Sequence, residues 1–123
     1  MKESEDFDLL LAAARDVLEE MLRSEGMVFP FALALANKGK DIHIWNGLPE
    51  EPVPSASRET ILANLKKALA TVRRSGEYRA FGLVTDSDRP PGARISCDAS
   101  GEKRRTWIPI EGKTLGDEEE QGT

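Results

Sequence analysis

His43 is the only imidazole in the chain, and Asp41 stands two residues before it. Residues two apart on a strand share a face, so the Asp41 carboxylate could orient the His43 ring for general acid or base work. These two are the catalytic candidates, set against the commoner role of a strand His as a packed or solvated side chain. Cys97 is the one thiol. It alternates with apolar neighbours, which points to a buried, unreactive sulfur. Asp86-Ser87-Asp88 spaces two carboxylates as a cation loop would, yet Arg89-Pro90-Pro91 supplies none of the further ligands such a loop requires, so the stretch reads as a turn. Gly82, Gly92 and Gly101 build no phosphate-cradling loop. Lys103-Arg104-Arg105 beside Trp107 joins cations to an aromatic ring, as surfaces for single-stranded nucleic acid do. One such cluster on an acidic chain is more often an ordinary exposed strand end.

Periodicity names the elements that must hold these residues. Phe7, Leu10, Leu11, Ala14, Val17, Leu18, Met21 and Leu22 recur at helical spacing, predicting a helix over 5–24 with Ser4 or Asp6 as its cap and Gly26 past its end. Ile61, Leu62, Leu65, Ala68, Leu69 and Val72 predict a second helix between Ser57 and Gly76. Met27 to Ala36 alternates large and small side chains and reads as a strand, joined through Asn37-Lys38-Gly39-Lys40 to a second strand at Asp41 to Trp45. Pro49, Pro52 and Pro54 make the next stretch an extended connection. Three more strands are expected at Tyr78 to Thr85, Ala93 to Ala99 and Arg104 to Ile110. The order is α-β-β-α-β-β-β, an α+β fold with a five-stranded antiparallel sheet in spatial order 2-1-3-4-5 and both helices on one face. Residues 1–115 form the expected domain, with 116–123 a disordered acidic tail.

Composition bounds what such a fold can be. The chain has 123 residues, 22 acidic and 17 basic, for a net charge of −5. Its size allows an adequate core without staples. One Cys and one His cannot make a disulfide or a structural zinc site, and no cofactor or metal is expected. The longest apolar run, Met27 to Ala36, falls far short of the roughly 20 residues that cross a bilayer. The acidic opening Met-Lys-Glu-Ser-Glu-Asp lacks the pattern of a secretory leader, so a cytoplasmic address is expected. Charge is uneven: residues 1–57 hold 5 basic and 11 acidic groups, residues 58–116 hold 12 and 7, and Asp117 to Glu120 add four negatives. Complementary surface charge within one domain would explain this; a basic surface for an acidic partner, with the tail as internal competitor, would as well.

If the large side chains of each strand meet the helices, the other face is Ala32, Ala34, Ala36, Ala80, Gly82 and Val84, flanked by His43, Trp45, Arg94, Arg105 and Trp107. A bare sheet face is normally polar, so an apolar floor calls for a cover. The Pro-rich connection, the tail, a second copy or a partner could supply it. Strand 41–45 leaves open which of its faces is buried, since a one-residue slip exchanges them.

The stretch Glu25-Gly26-Met27-Val28-Phe29-Pro30-Phe31-Ala32-Leu33-Ala34-Leu35, after an amphipathic helix and before an Asn-Lys-Gly turn, resembles the Phe-Pro-Phe start of the first strand in small uncharacterised bacterial α+β proteins. Some of these are similar to immunity-type proteins encoded beside toxins. The resemblance implies a bacterial cytoplasmic protein that works by binding another protein, and it carries over no functional residue.

The leading expectation is a non-enzymatic protein-binding module, immunity-type or accessory, whose partner could be a second copy in a homodimer. It acts through a helix-free sheet face with His43, Trp45, Arg105 and Trp107 as anchors. A small enzyme using Asp41 and His43 is the alternative. A third reading binds nucleic acid through Lys66, Lys67, Arg73, Arg74, Lys103, Arg104 and Arg105, and the acidic balance makes it the least favoured.

Overall fold

The structure is a computed structural model that describes residues 2–24, 26, 28–46, 58–88, 91–99, 101–112 and 114–121. Helix α1 spans Lys2–Ser24 and α2 spans Arg58–Ser75; strands β1 to β5 are Phe31–Ala36, Ile42–Asn46, Tyr78–Asp88, Pro91–Ala99 and Glu102–Glu111. Two short strands follow, β6 at Thr114–Leu115 and β7 at Glu119–Gln121. The fold is α+β with an antiparallel sheet, ordered β2-β1-β3-β4-β5-β6, with β7 also against β5. The expected order 2-1-3-4-5 stands, extended by two strands that local sequence patterns do not announce. The Pro-rich connection falls almost wholly outside the described residues. No described helix is long and apolar enough to cross a membrane.

The two helices take opposite faces, which corrects the expectation that both share one. The reason lies in register. Leu33 pairs with Gly82, Ala32 with Leu83 and Ala34 with Phe81, so each large side chain of β1 or β3 stands beside a small one of the other. Cross-strand partners share a face. Phe31, Leu33 and Leu35 therefore lie with Ala80 and Val84, and with Ala93, Ile95 and Ile108 further along the sheet, under Phe7, Leu10, Ala14, Leu18 and Leu22 of α1. On the reverse, Ala32 lies with Trp45, Phe81 and Leu83 under Ile61, Leu65 and Leu69 of α2. Each fully buried Leu contributes about 2 kcal/mol by area removed from water, so both faces hold substantial apolar energy. A Cβ on Gly82 would stand 3.0 Å from Leu33 Cδ1; the glycine is the space into which Leu33 packs.

Local chemistry departs from the sequence expectation in three places. Ser4 and Asp6 lie inside α1 instead of capping it. Asp6 is buried, and its carboxylate accepts from Arg79 Nε at 3.1 Å. The same guanidinium donates to the carbonyls of Ala36 at 2.7 Å, Asn37 at 3.0 Å and Gly39 at 3.0 Å. Arg79 thus ties the start of α1 and the β1–β2 hairpin to β3, and a register shift between Leu35 and Ala36 goes with this placement. Asp86-Ser87-Asp88 is not a turn: it extends β3, opposite Ala93, Gly92 and Pro91. The acidic stretch expected as a disordered tail supplies β7, where Glu119, Glu120 and Gln121 pair with Trp107, Thr106 and Arg105. The helix ends are as read, with Gly26 and Gly76 in the left-handed region at φ 74° and 72°.

Gly82→Val is expected to cost about 2 kcal/mol in urea denaturation by overpacking against Leu33, and adding Leu33→Ala should recover part of it. Strictly additive costs would place Leu33 elsewhere. Arg79→Ala should cost about 2–3 kcal/mol, because it strands a buried carboxylate and three carbonyls, and Arg79→Lys should restore less than half.

Candidate functional site

Helix α2 packs on β1, β2 and β3. Among the described residues, no element lies over the same face of β4 and β5. Between the flank of α2 and this open half-sheet runs a groove of about 390 Å³. Its floor is Phe81, Leu83 and Ser96, and one wall is α2, with Lys66, Leu69 and Arg73. Lys66 and Arg73 stand seven residues apart and so share one helix face. Asp98 of β4 and Lys103 and Arg105 of β5 complete the far side.

Charge in the groove is mostly positive. Arg73 Nη1 donates to Asp98 Oδ2 at 2.8 Å, and its guanidinium lies 5.0 Å from the centre of the Phe81 ring. The ring and the carboxylate fix Arg73 between helix and sheet. Lys66, Lys103 and Arg105 are exposed and add charge beyond that pair. Arg94 of β4 pairs in register with Trp107 of β5 and extends the basic face. Trp107 is half-buried, and its indole lies against Gly92: a methyl there would overlap Cζ2 and Cη2 and come within 2.8 Å of the Ile108 carbonyl oxygen. Gly92 is thus the seat of this ring.

The four anchors expected on one surface divide into two groups. His43 and Trp45 pair with Ala34 and Ala32 and so share the α2 face with Arg105 and Trp107, but α2 stands between the pairs. By inter-strand spacing β2 and β5 are about 19 Å apart. The expected helix-free face is reduced to the β4–β5 half. Trp45 is half-buried in the core under α2. His43 Nδ1 lies 2.6 Å from the Tyr78 hydroxyl, and the rings of His43, Trp45 and Tyr78 meet edge to face at centroid distances of 5.3–6.1 Å. The hydroxyl occupies Nδ1 of the ring that Asp41 was a candidate to orient. In this arrangement Asp41 has no orienting role at Nδ1.

Cys97 is buried on the α1 face, as its alternation indicated. Burial pushes its thiol up to about 12, against the opposing pull of the Arg104 guanidinium. The thiolate is absent near neutral pH. Arg104 itself turns to that face, 4.6 Å from the Phe7 ring centre. The run Lys103-Arg104-Arg105 is therefore split by strand alternation, with two cations toward the groove and one away.

Sequence reasoning grouped Lys66, Lys67, Arg73, Arg74, Lys103, Arg104 and Arg105 by charge alone, whereas Lys67 and Arg74 do not line the groove; it missed Phe81 and Leu83 as floor, Gly92 as a ring seat and Tyr78 as the partner of His43. The seven-residue spacing of Lys66 and Arg73 was a visible signal. The other three required register.

Gly92→Ala is expected to displace the indole and shift Trp107 emission, read in a Trp45→Phe background that leaves one tryptophan signal. Thiol reagents should label Cys97 only on unfolding. Because the unfolded thiol ionises near its ordinary 9.0 and the folded one near 12, stability should fall as pH rises from about 9 toward 12. Rapid labelling of the folded chain at pH 8 would contradict the burial.

Comparison with protein-family models, with curated proteins and with solved structures finds no match.

Proposed function

We propose that this chain is a non-enzymatic protein-binding module that takes an acidic partner on the basic half-face beside α2. The observation that carries the reading is the convergence of Lys66, Arg73, Lys103 and Arg105, from one helix and the β5 strand, on a groove in a chain of net charge −5. Charge gathered against the overall balance, beside an apolar floor and a seated Trp, is the composition of a recognition surface. The stretch Glu25 to Leu35, which resembles the strand entry of small uncharacterised bacterial proteins, some of them similar to immunity-type proteins, supports action by binding. A buried, protonated Cys97 is compatible with a reducing cytoplasm. Exposed ion pairs contribute up to about 1 kcal/mol each, so several must act together and the binding must be salt-sensitive.

The test is fluorescence anisotropy of a labelled deca-glutamate peptide titrated with the full chain, beside a deca-lysine peptide and an oligothymidine of 12 nucleotides. Deca-glutamate should bind at low salt and weaken steeply as salt rises. Lys103→Glu with Arg105→Glu should weaken it by more than about tenfold, the loss of two favourable pairs and the gain of two unfavourable ones. Preference for oligothymidine would move the site to nucleic acid, and binding of neither anion would overturn the reading.

A further inference from the structure

Strand β7 is a weak occupant of a well-built position. It has three residues, and residues 116–118, which join it to β6, are not strand, although the Gly116 amide donates to the Pro109 carbonyl at 2.8 Å. Four consecutive carboxylates, Asp117 to Glu120, precede Gln121; acidic residues are poor strand formers and repel one another. Strand β5, in contrast, is a ten-residue strand paired to β4 along its inner edge from Glu102 to Pro109. Its alternation sends Lys103 and Arg105 to the groove face and Arg104 to the α1 face. An acidic strand laid on its outer edge meets positive charge whichever way its side chains turn. The resident segment already does so: Glu118 Oε1 lies 3.5 Å from Arg15 Nη1 of α1, and Glu119 pairs in register with Trp107 on the groove face.

We propose that the outer edge of β5 is a strand-addition site for an acidic, extended segment of a partner protein, and that β7 holds this place until such a segment displaces it. The proposal rests on the acidic-partner reading of the groove and adds the binding mode. Main-chain hydrogen bonds to β5 supply affinity, and carboxylates alternating toward Lys103 and Arg105 or toward Arg104 and Arg15 supply selection. The chain's own β7 is a tethered competitor, which a partner must exceed in effective concentration.

The probe is a labelled peptide with the sequence of residues 114–123, titrated into the full chain in three forms. Glu119→Pro removes a ladder donor from β7, since Trp107 and Glu119 form a hydrogen-bonded pair, and should tighten peptide binding by about tenfold. Thr106→Cys with Glu120→Cys places cysteines at register partners; oxidised, the bridge should weaken binding by about tenfold, and dithiothreitol should return it to the wild-type value. The oxidised and reduced states of one chain make a folding defect separable from occupancy. Equal binding by oxidised and reduced chains, while Lys103→Glu with Arg105→Glu still abolishes it, would overturn strand addition and leave the groove reading intact. No binding of this peptide or of deca-glutamate by any form would overturn both. A Glu119→Pro chain that doubles its mass in light scattering would make a second copy the occupant and overturn the assignment to another protein.

Discussion

Leu33 lies across from Gly82, and this pairing determines which side of the sheet each helix must cover. Had the large residues of β1 and β3 shared a face, one side would be thickly apolar and the other a floor of alanine and glycine. The register instead interleaves them, large beside small, so neither face is flat and each needs a helix. Interleaving of this kind fills space at close-packed density, with Leu33 in the room that a side chain at position 82 would take. The cost of misplacing it is high because the pair sits between the two central strands, where both helices draw their contacts.

The proposed binding surface follows from that arrangement. One helix cannot cover five strands, and α2 lies over β1, β2 and β3. The other half of its face is left to β4 and β5, whose outward residues are Arg94, Ser96, Asp98, Lys103, Arg105 and Trp107. Alternation then sorts charge by face. The Arg73–Asp98 contact closes one end between helix and sheet, and Gly92 seats Trp107 on the outer side. Arg79 acts away from the groove. It ties α1 and the β1–β2 hairpin to β3 and so holds the frame behind the basic half-face.

How much of this was legible depends on the distance over which each signal acts. Both helices, their glycine ends and the burial of Cys97 could be read because they arise within a few residues, and the strand order followed from which strands are most apolar and from the rule for crossover connections. The face assignment could not, because the alternation of Met27 to Ala36 and of Tyr78 to Val84 is the same whether large pairs with large or with small. Only register decides, and register is a contact between segments some 50 residues apart in the chain. The same gap divided the anchors: His43 and Trp45 do share a face with Arg105 and Trp107, but a helix placed on that face separates them. Asp117 to Glu120 looked like a tail by charge and propensity, and pairing with the outer edge of β5 is what makes part of it a strand. Asp86-Ser87-Asp88 has the composition of a turn, yet its pairing with Ala93, Gly92 and Pro91 puts it inside the hairpin.

The central claim is that a basic half-face beside α2 receives an acidic partner, and its most direct test is a map of amide chemical-shift changes in the full chain on adding deca-glutamate. Changes are expected to gather at Lys66 to Arg73, Arg94 to Asp98 and Lys103 to Trp107, with β7 resonances moving alongside them. Changes gathered instead at His43, Trp45 and Tyr78 would contradict the claim, as would a spectrum that does not move.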